Sequence, residues 1–237
     1  MERKYEVTDK KKRVWKLGRW KTLYRIRAVR SFSDVREGDW GGYVESEANL
    51  SHDGSCWIYD ESMVYGNARL LENAYIRGRS QVSGHAKVYG NARVTCGSEI
   101  DGGAQVYGNA RVYGAASVYA EARVYGNASV HDHVMVSDHT RVSGNADVSG
   151  YHIWGTTTIC GDARTGGWAV VKDRAEVSGS AAVEGHARVS GDALVSGNAH
   201  VGGFARVKGH AQVCGDATIG GLSVVTGDSR IVAAATA

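Results

Sequence analysis

The sequence predicts an all-β protein: a left-handed parallel β-helix, a β-solenoid of hexapeptide repeats with triangular coils of about 18 residues and a small N-terminal β cap. Two observations carry this reading, a nearly unbroken six-residue period and a composition poor in bulky core residues. The 237 residues include 32 Gly, 2 Phe and no Pro, with Val and Ala standing where large aliphatics normally would. A layered core of this length needs bulky side chains at crystal-like density, so small apolar residues must line something narrow and repetitive.

The period is explicit. VYGNAR occurs at Val64, Val88 and Val106, and VYGNAS at Val124. With the branched aliphatic as position 1, the series steps by six from Ile58 through Val64, Leu70, Ile76 and Val82 to Val148. A single five-residue step to Ile153 makes a register slip at 148–153, after which Ile159, Thr165, Val171 and Val177 lead on to Ile231. Val44 and Leu50 read as the first two units, with a two-residue excess before Ile58. Position 5 is small, as at Ala68, Ala86, Ala92 and Ala110, with Val134 and Thr140 as larger exceptions.

Six residues match no helical face and suit a short strand plus a sharp corner. Positions 1 and 5 then point inward and positions 3 and 4 make the turn. Position 3 is usually Gly, and position 4 is usually Asn, Asp, His or Gly, the types that tolerate a left-handed backbone. Three units close one coil, and roughly ten coils stack to ~50 Å at the inter-strand spacing. A pentapeptide-repeat helix is excluded by the constant step of six.

Two parts follow: a basic cap over residues 1–43 and the rod over 44–237. Residues 1–30 hold twelve Lys or Arg against three acids, a net +9 on a chain whose total is +3. Stretches 5–8, 13–17 and 22–32 read as short cap strands with polar turns between them. At the other end, residues 231–237 read as stopping inside a coil, an edge that frays or is covered by a partner. No apolar run follows the charged N-terminus and none approaches a membrane span, so no membrane association and a cytoplasmic location are expected. Cys160 and Cys214 are three coils apart, about 14 Å, too far for a disulfide. All four cysteines read as reduced thiols.

Segment 31–62, SFSDVREGDWGGYVESEANLSHDGSCWIYDES, resembles the start of the YdcK-like hexapeptide-repeat proteins. The carriers are Asp34-Val35, Gly38, Gly41-Gly42, Val44 and above all Cys56-Trp57-Ile58-Tyr59-Asp60. The resemblance implies a left-handed β-helix with an N-terminal cap, and an acyltransferase label that in that family rests mainly on fold. It carries no catalytic motif to this chain. The matched residues look structural, with Trp57 sealing the first coil, and the basic stretch before Arg30 departs from the family.

Acyl transfer on this fold would use acetyl-CoA and a histidine base within hydrogen-bond reach of the acceptor. His85, His133, His139, His186 and His210 all occupy position 4 and read as corner residues, leaving His131 and His200 as the candidate bases. The run His131-Asp132-His133 with Asp138-His139 invites a metal reading, but zinc needs three ligands at ~2.1 Å from one point. Successive corners keep His133 and His139 apart, so no metal site and no cofactor are expected.

Outward at position 2, Tyr89, Tyr107 and Tyr125 are 18 residues apart and form a ladder, with Arg93 and Arg111 expected beside it as an interface. Tyrosine rows fade after Val142, which places such an interface in the N-terminal half. In the cap, Lys11, Lys12, Arg13, Lys16 and Arg19 surround Trp15 and Trp20, a pattern that could hold nucleic acid by phosphate contact and stacking. The expected role is a non-catalytic structural or binding rod that self-associates, as a trimer by wall packing or a dimer through the C-terminal edge, with a further protein partner as an option.

Overall fold

In the computed structural model, residues 2–16 and 18–233 are described. From Ile58 to Val207 each hexad forms one two-residue strand ending in its position-1 residue, as in Met63–Val64, Arg69–Leu70 and Tyr75–Ile76. Every such strand pairs in parallel with the one a coil later, for example Arg93 with Arg111 and Val94 with Val112. The chain thereby winds through three parallel walls. The first carries Val44, Val64 and Val82, the second Leu70 and Val88, and the third Ile58, Ile76 and Val94. Two walls are ten-stranded sheets, and the first belongs to a 13-stranded sheet that includes the cap.

The interior follows from the repeat. Val94, Val112, Ala92 and Ala110 are fully buried, as are their counterparts along most of the rod. Each buried Val contributes ~1.5 kcal/mol or more, while Ala at position 5 lets neighbouring walls meet at the corner. Leu50 bridges in parallel to Leu70 and Val44 to Val64, so both begin the coil series.

At the corners the division of labour differs from the expectation. Left-handed backbone is a property of position 3, as at Gly90 and Gly108 (φ 71° each), and among the described residues position 4 is left-handed only at four third-to-first corners. Asn is at position 4 for its side chain. The amides of Asn73, Asn91, Asn109 and Asn127 each donate to the next asparagine at 3.0–3.4 Å, and Asn145 closes the ladder on Asp162 at 2.8 Å.

The slip at 148–153 leaves every wall paired. Met135 faces His152 and Arg141 faces Thr158, so one 17-residue coil is absorbed at a single corner. That corner changes character there. Before the slip its position-4 amides donate back one coil, as from His133 to Gly114, with Ala115 and His133 left-handed. Beyond it they donate forward, from Trp168 to Gly185 and from Phe204 to Gly221.

The cap is a longer hairpin than the sequence suggests. β1 (Tyr5–Lys16) pairs antiparallel with β2 (Arg19–Ala28) through an irregularity between Val7 and Lys11. β3 (Trp40–Val44) pairs antiparallel with β2 and parallel with Met63–Val64, so the cap and the rod share this strand. The stretch at 9–12 reads as a polar turn yet stays extended because the hairpin lies along the first wall, with Lys12 on Glu61. Leu17, the end of one expected strand, and residues 234–237, part of the expected terminal edge, lie outside the described residues. At the N-terminal mouth, Tyr5 and Trp57 are buried and close the first coil.

Candidate functional site

The tyrosine ladder exists as a stack. Tyr89 and Tyr107 have ring centroids 4.8 Å apart at 3°, and Tyr107 and Tyr125 are 5.0 Å apart at 2°. Ring faces are therefore spent on each other, leaving mainly edges outward. Arg93 and Arg111 do not flank this ladder. Both precede third-wall aliphatics, and Arg93 stacks on Tyr75 of that wall at 5.7 Å. The corner between positions 2 and 6 of one hexad carries the arginine round to the next wall. Arg123 and Arg141 are among the arginines that do lie on the tyrosine wall.

His131 is held on both sides. Its Nε2 is 2.7 Å from Asp147 Oδ1, its Nδ1 is 2.9 Å from Asp132 Oδ2, and its ring stacks on Tyr113 at 4.9 Å. With a carboxylate at each ring nitrogen, neither nitrogen is open to a substrate. His200 is more open, with one contact, Nε2 to Glu184 Oε2 at 3.7 Å. The two histidines belong to different coils of the third wall and do not converge. Among the described residues no group of three His, Cys, Asp or Glu is placed to hold a metal ion.

The basic cap is two-sided. Lys12, Lys16 and Lys21 turn to the rod and pair with Glu61 (3.2 Å), Asp101 (3.2 Å) and Glu45 (2.8 Å). Lys11, Arg13 and Arg19 are exposed. Trp15 and Trp20 pack edge to face at 5.2 Å, with the Arg13 guanidinium 4.9 Å from the Trp20 ring. Strand alternation separates the two sets.

A third surface escaped the sequence reading. Beyond the slip, Trp168, His186, Phe204 and Leu222 occupy position 4 of four successive coils at the third-to-first corner. Trp168 is 61% exposed, Phe204 57% and Leu222 82%, with Tyr151 and Val224 exposed beside them. His186 stacks on Phe204 at 4.7 Å and 2°, and Tyr151 leans on Trp168 at 5.7 Å. This is the opposite half of the rod from the tyrosines, so the outward apolar surface is not confined to the N-terminal half. Its signal was legible: large apolar residues 18 or 36 apart at the position otherwise held by polar turn formers.

Comparison with known proteins bears on the repeat itself. The profile described as "YdcK Beta solenoid repeat" matches residues 104–120 and 187–203. The chain carries YdcK-type solenoid repeats. One curated relative, "Uncharacterized acetyltransferase YdcK" of Escherichia coli (strain K12), is 40% identical over 47 residues. The match covers 19% of this chain and 14% of that protein. The YdcK-type segments 104–120 and 187–203 lie on either side of the slip, and the second includes Val189, Val195 and Val201 of the half that bears the ridge.

Proposed function

We propose that this chain is a non-catalytic structural and binding rod that self-associates. The observation that carries the reading is the exposed apolar ridge of Trp168, Phe204 and Leu222. Large apolar side chains exposed together on one face mark an interaction site. A rod of stacked coils is stiff and suits the display of such a surface at fixed spacing. Sedimentation of the wild-type protein over a wide concentration range tests self-association. A concentration-dependent shift to a larger species is expected, and a monomer throughout would overturn it.

Acetyl transfer is the second reading, favoured by the name of the relative and by the open imidazole of His200. It makes acetyl-CoA the cofactor. Calorimetric binding of acetyl-CoA, with turnover abolished by His200→Ala and unaffected by His131→Ala, would displace the scaffold reading.

A further inference from the structure

The apolar ridge runs beside a trough that matches it. Two residues before Trp168, His186, Phe204 and Leu222, position 2 of the third wall holds Gly166, Glu184, Gly202 and Gly220. Where the ridge carries a large apolar side chain the trough carries glycine, and where the ridge carries histidine the trough carries glutamate. The ridge does not close over its own trough. A Cβ added at Gly220 would meet nothing within 4 Å, and one at Gly166 would meet only Ser149 Oγ at 3.7 Å. Over Gly202 lies the His200 ring, whose Cε1 would stand 2.9 Å from such a Cβ.

We propose that a second copy of this chain fills the trough, the two rods lying parallel about a two-fold axis that runs along them between ridge and trough. The proposal rests on the self-associating reading above and names its surface. A two-fold along the rods exchanges the two sides of the shared face, so each ridge crosses to the other copy's trough at its own level. Trp168 then lies over the glycine floor at 166, Leu222 over that at 220, and His186 meets Glu184 of the second copy. A two-fold across the rods would instead set ridge against ridge and leave both troughs empty. The patch is thus complementary to itself in shape at Gly166 and Gly220 and in charge at Glu184, while at Gly202 Phe204 meets the His200 ring that covers the floor, an arrangement of the isologous kind. Its large exposed aromatics are the side chains that anchor such contacts.

Sedimentation equilibrium of the wild type, Phe204→Ser/Leu222→Ser and Gly220→Gln tests it. The last variant leaves the ridge intact and fills the trough, at a residue whose backbone is not left-handed. Each variant is expected to weaken the dimer roughly tenfold or more. A wild type that associates while both variants associate equally well overturns this surface and leaves self-association standing. A monomeric wild type overturns both.

Orientation is read by oxidative cross-linking in a background with Cys96, Cys160 and Cys214 replaced by Ser. Mixed Leu222→Cys and Gly220→Cys chains are expected to cross-link, and mixed Leu222→Cys and Trp168→Cys chains are not. The reverse pattern would overturn the parallel arrangement.

Discussion

Lys4 Nζ stands 3.2 Å from Cys56 Sγ, with both side chains fully buried at the mouth of the first coil. The same nitrogen donates to the Gly54 carbonyl at 3.2 Å and the Asp53 carbonyl at 3.4 Å. Burial holds Lys4 below the usual lysine range and pushes the Cys56 thiol up. The side chain fastens the first residues of the cap to the 51–56 loop. Lys4→Ala should cost ~2–4 kcal/mol in urea unfolding, because it opens a cavity and strips two carbonyls of a donor. Lys4→Met, which keeps the packing and removes a buried charge, should cost less than half of that.

Glycine is required at the corners and not on the wall faces. At Gly108 a Cβ would stand 3.1 Å from both the backbone N and O of Gly126, on a left-handed residue. At Gly220 it would meet nothing. Gly108→Ala should therefore destabilise by ~1–3 kcal/mol, while Gly220→Ala should be neutral or slightly stabilising. Thermal unfolding of the two variants side by side checks this. Equal losses would show that packing at the corner does not set the cost.

The rod was legible because its physics is one-dimensional. Ile58, Val64 and Leu70 predict their own walls, since a six-residue step leaves no other way to bury position 1. Side-chain direction at the corners was less legible, because Asn109 suits a left-handed turn and a hydrogen-bonded ladder equally in sequence. Arg93 lies one wall beyond the tyrosines because position 6 falls past the corner. In the cap no period exists, and the Lys12–Glu61 and Lys16–Asp101 contacts span 49 and 85 residues. The ridge was visible in Trp168, Phe204 and Leu222 as departures from a pattern, but their shared column emerges only when coils are counted across the slip.

The slip is expected to be the acid-sensitive point of the rod. Burial holds His152 below the usual histidine value, with Asp138 opposing in part. Its Nε2 is 3.4 Å from both Tyr119 Oη and Ser137 Oγ. A histidine whose folded pKa is depressed binds fewer protons folded than unfolded. Its contribution is present above about pH 6.5 and is lost as pH falls below that value. The urea midpoint should fall on acidification, and His152→Gln should flatten part of that fall. His52 in the cap is lowered by burial with the same sign, so a residual slope should remain in the variant. An unchanged slope would remove His152 as a source.

The cap couples docking to charge. Leu23 is fully buried against Tyr43, Met63 and Tyr65, with Val14 packed beside them. Lys12, Lys16 and Lys21 lie on this docked face with their carboxylates, while Lys11, Arg13 and Arg19 stay outside. Leu23→Ala should cost ~2–4 kcal/mol, and Leu23→Asp should lift the hairpin from the wall. Docking therefore limits any nucleic-acid contact to the outer set. Single-stranded DNA binding by the wild type should be weak, with a log–log salt slope of roughly −2, about 0.7 for each of the outer cations. Leu23→Asp frees the inner lysines, and the slope should steepen toward roughly −4. Fluorescence anisotropy across a salt series measures both. A wild-type slope already near the steeper value would mean that the inner lysines leave their carboxylates to meet phosphate, and that the hairpin rather than the rod is the binding element.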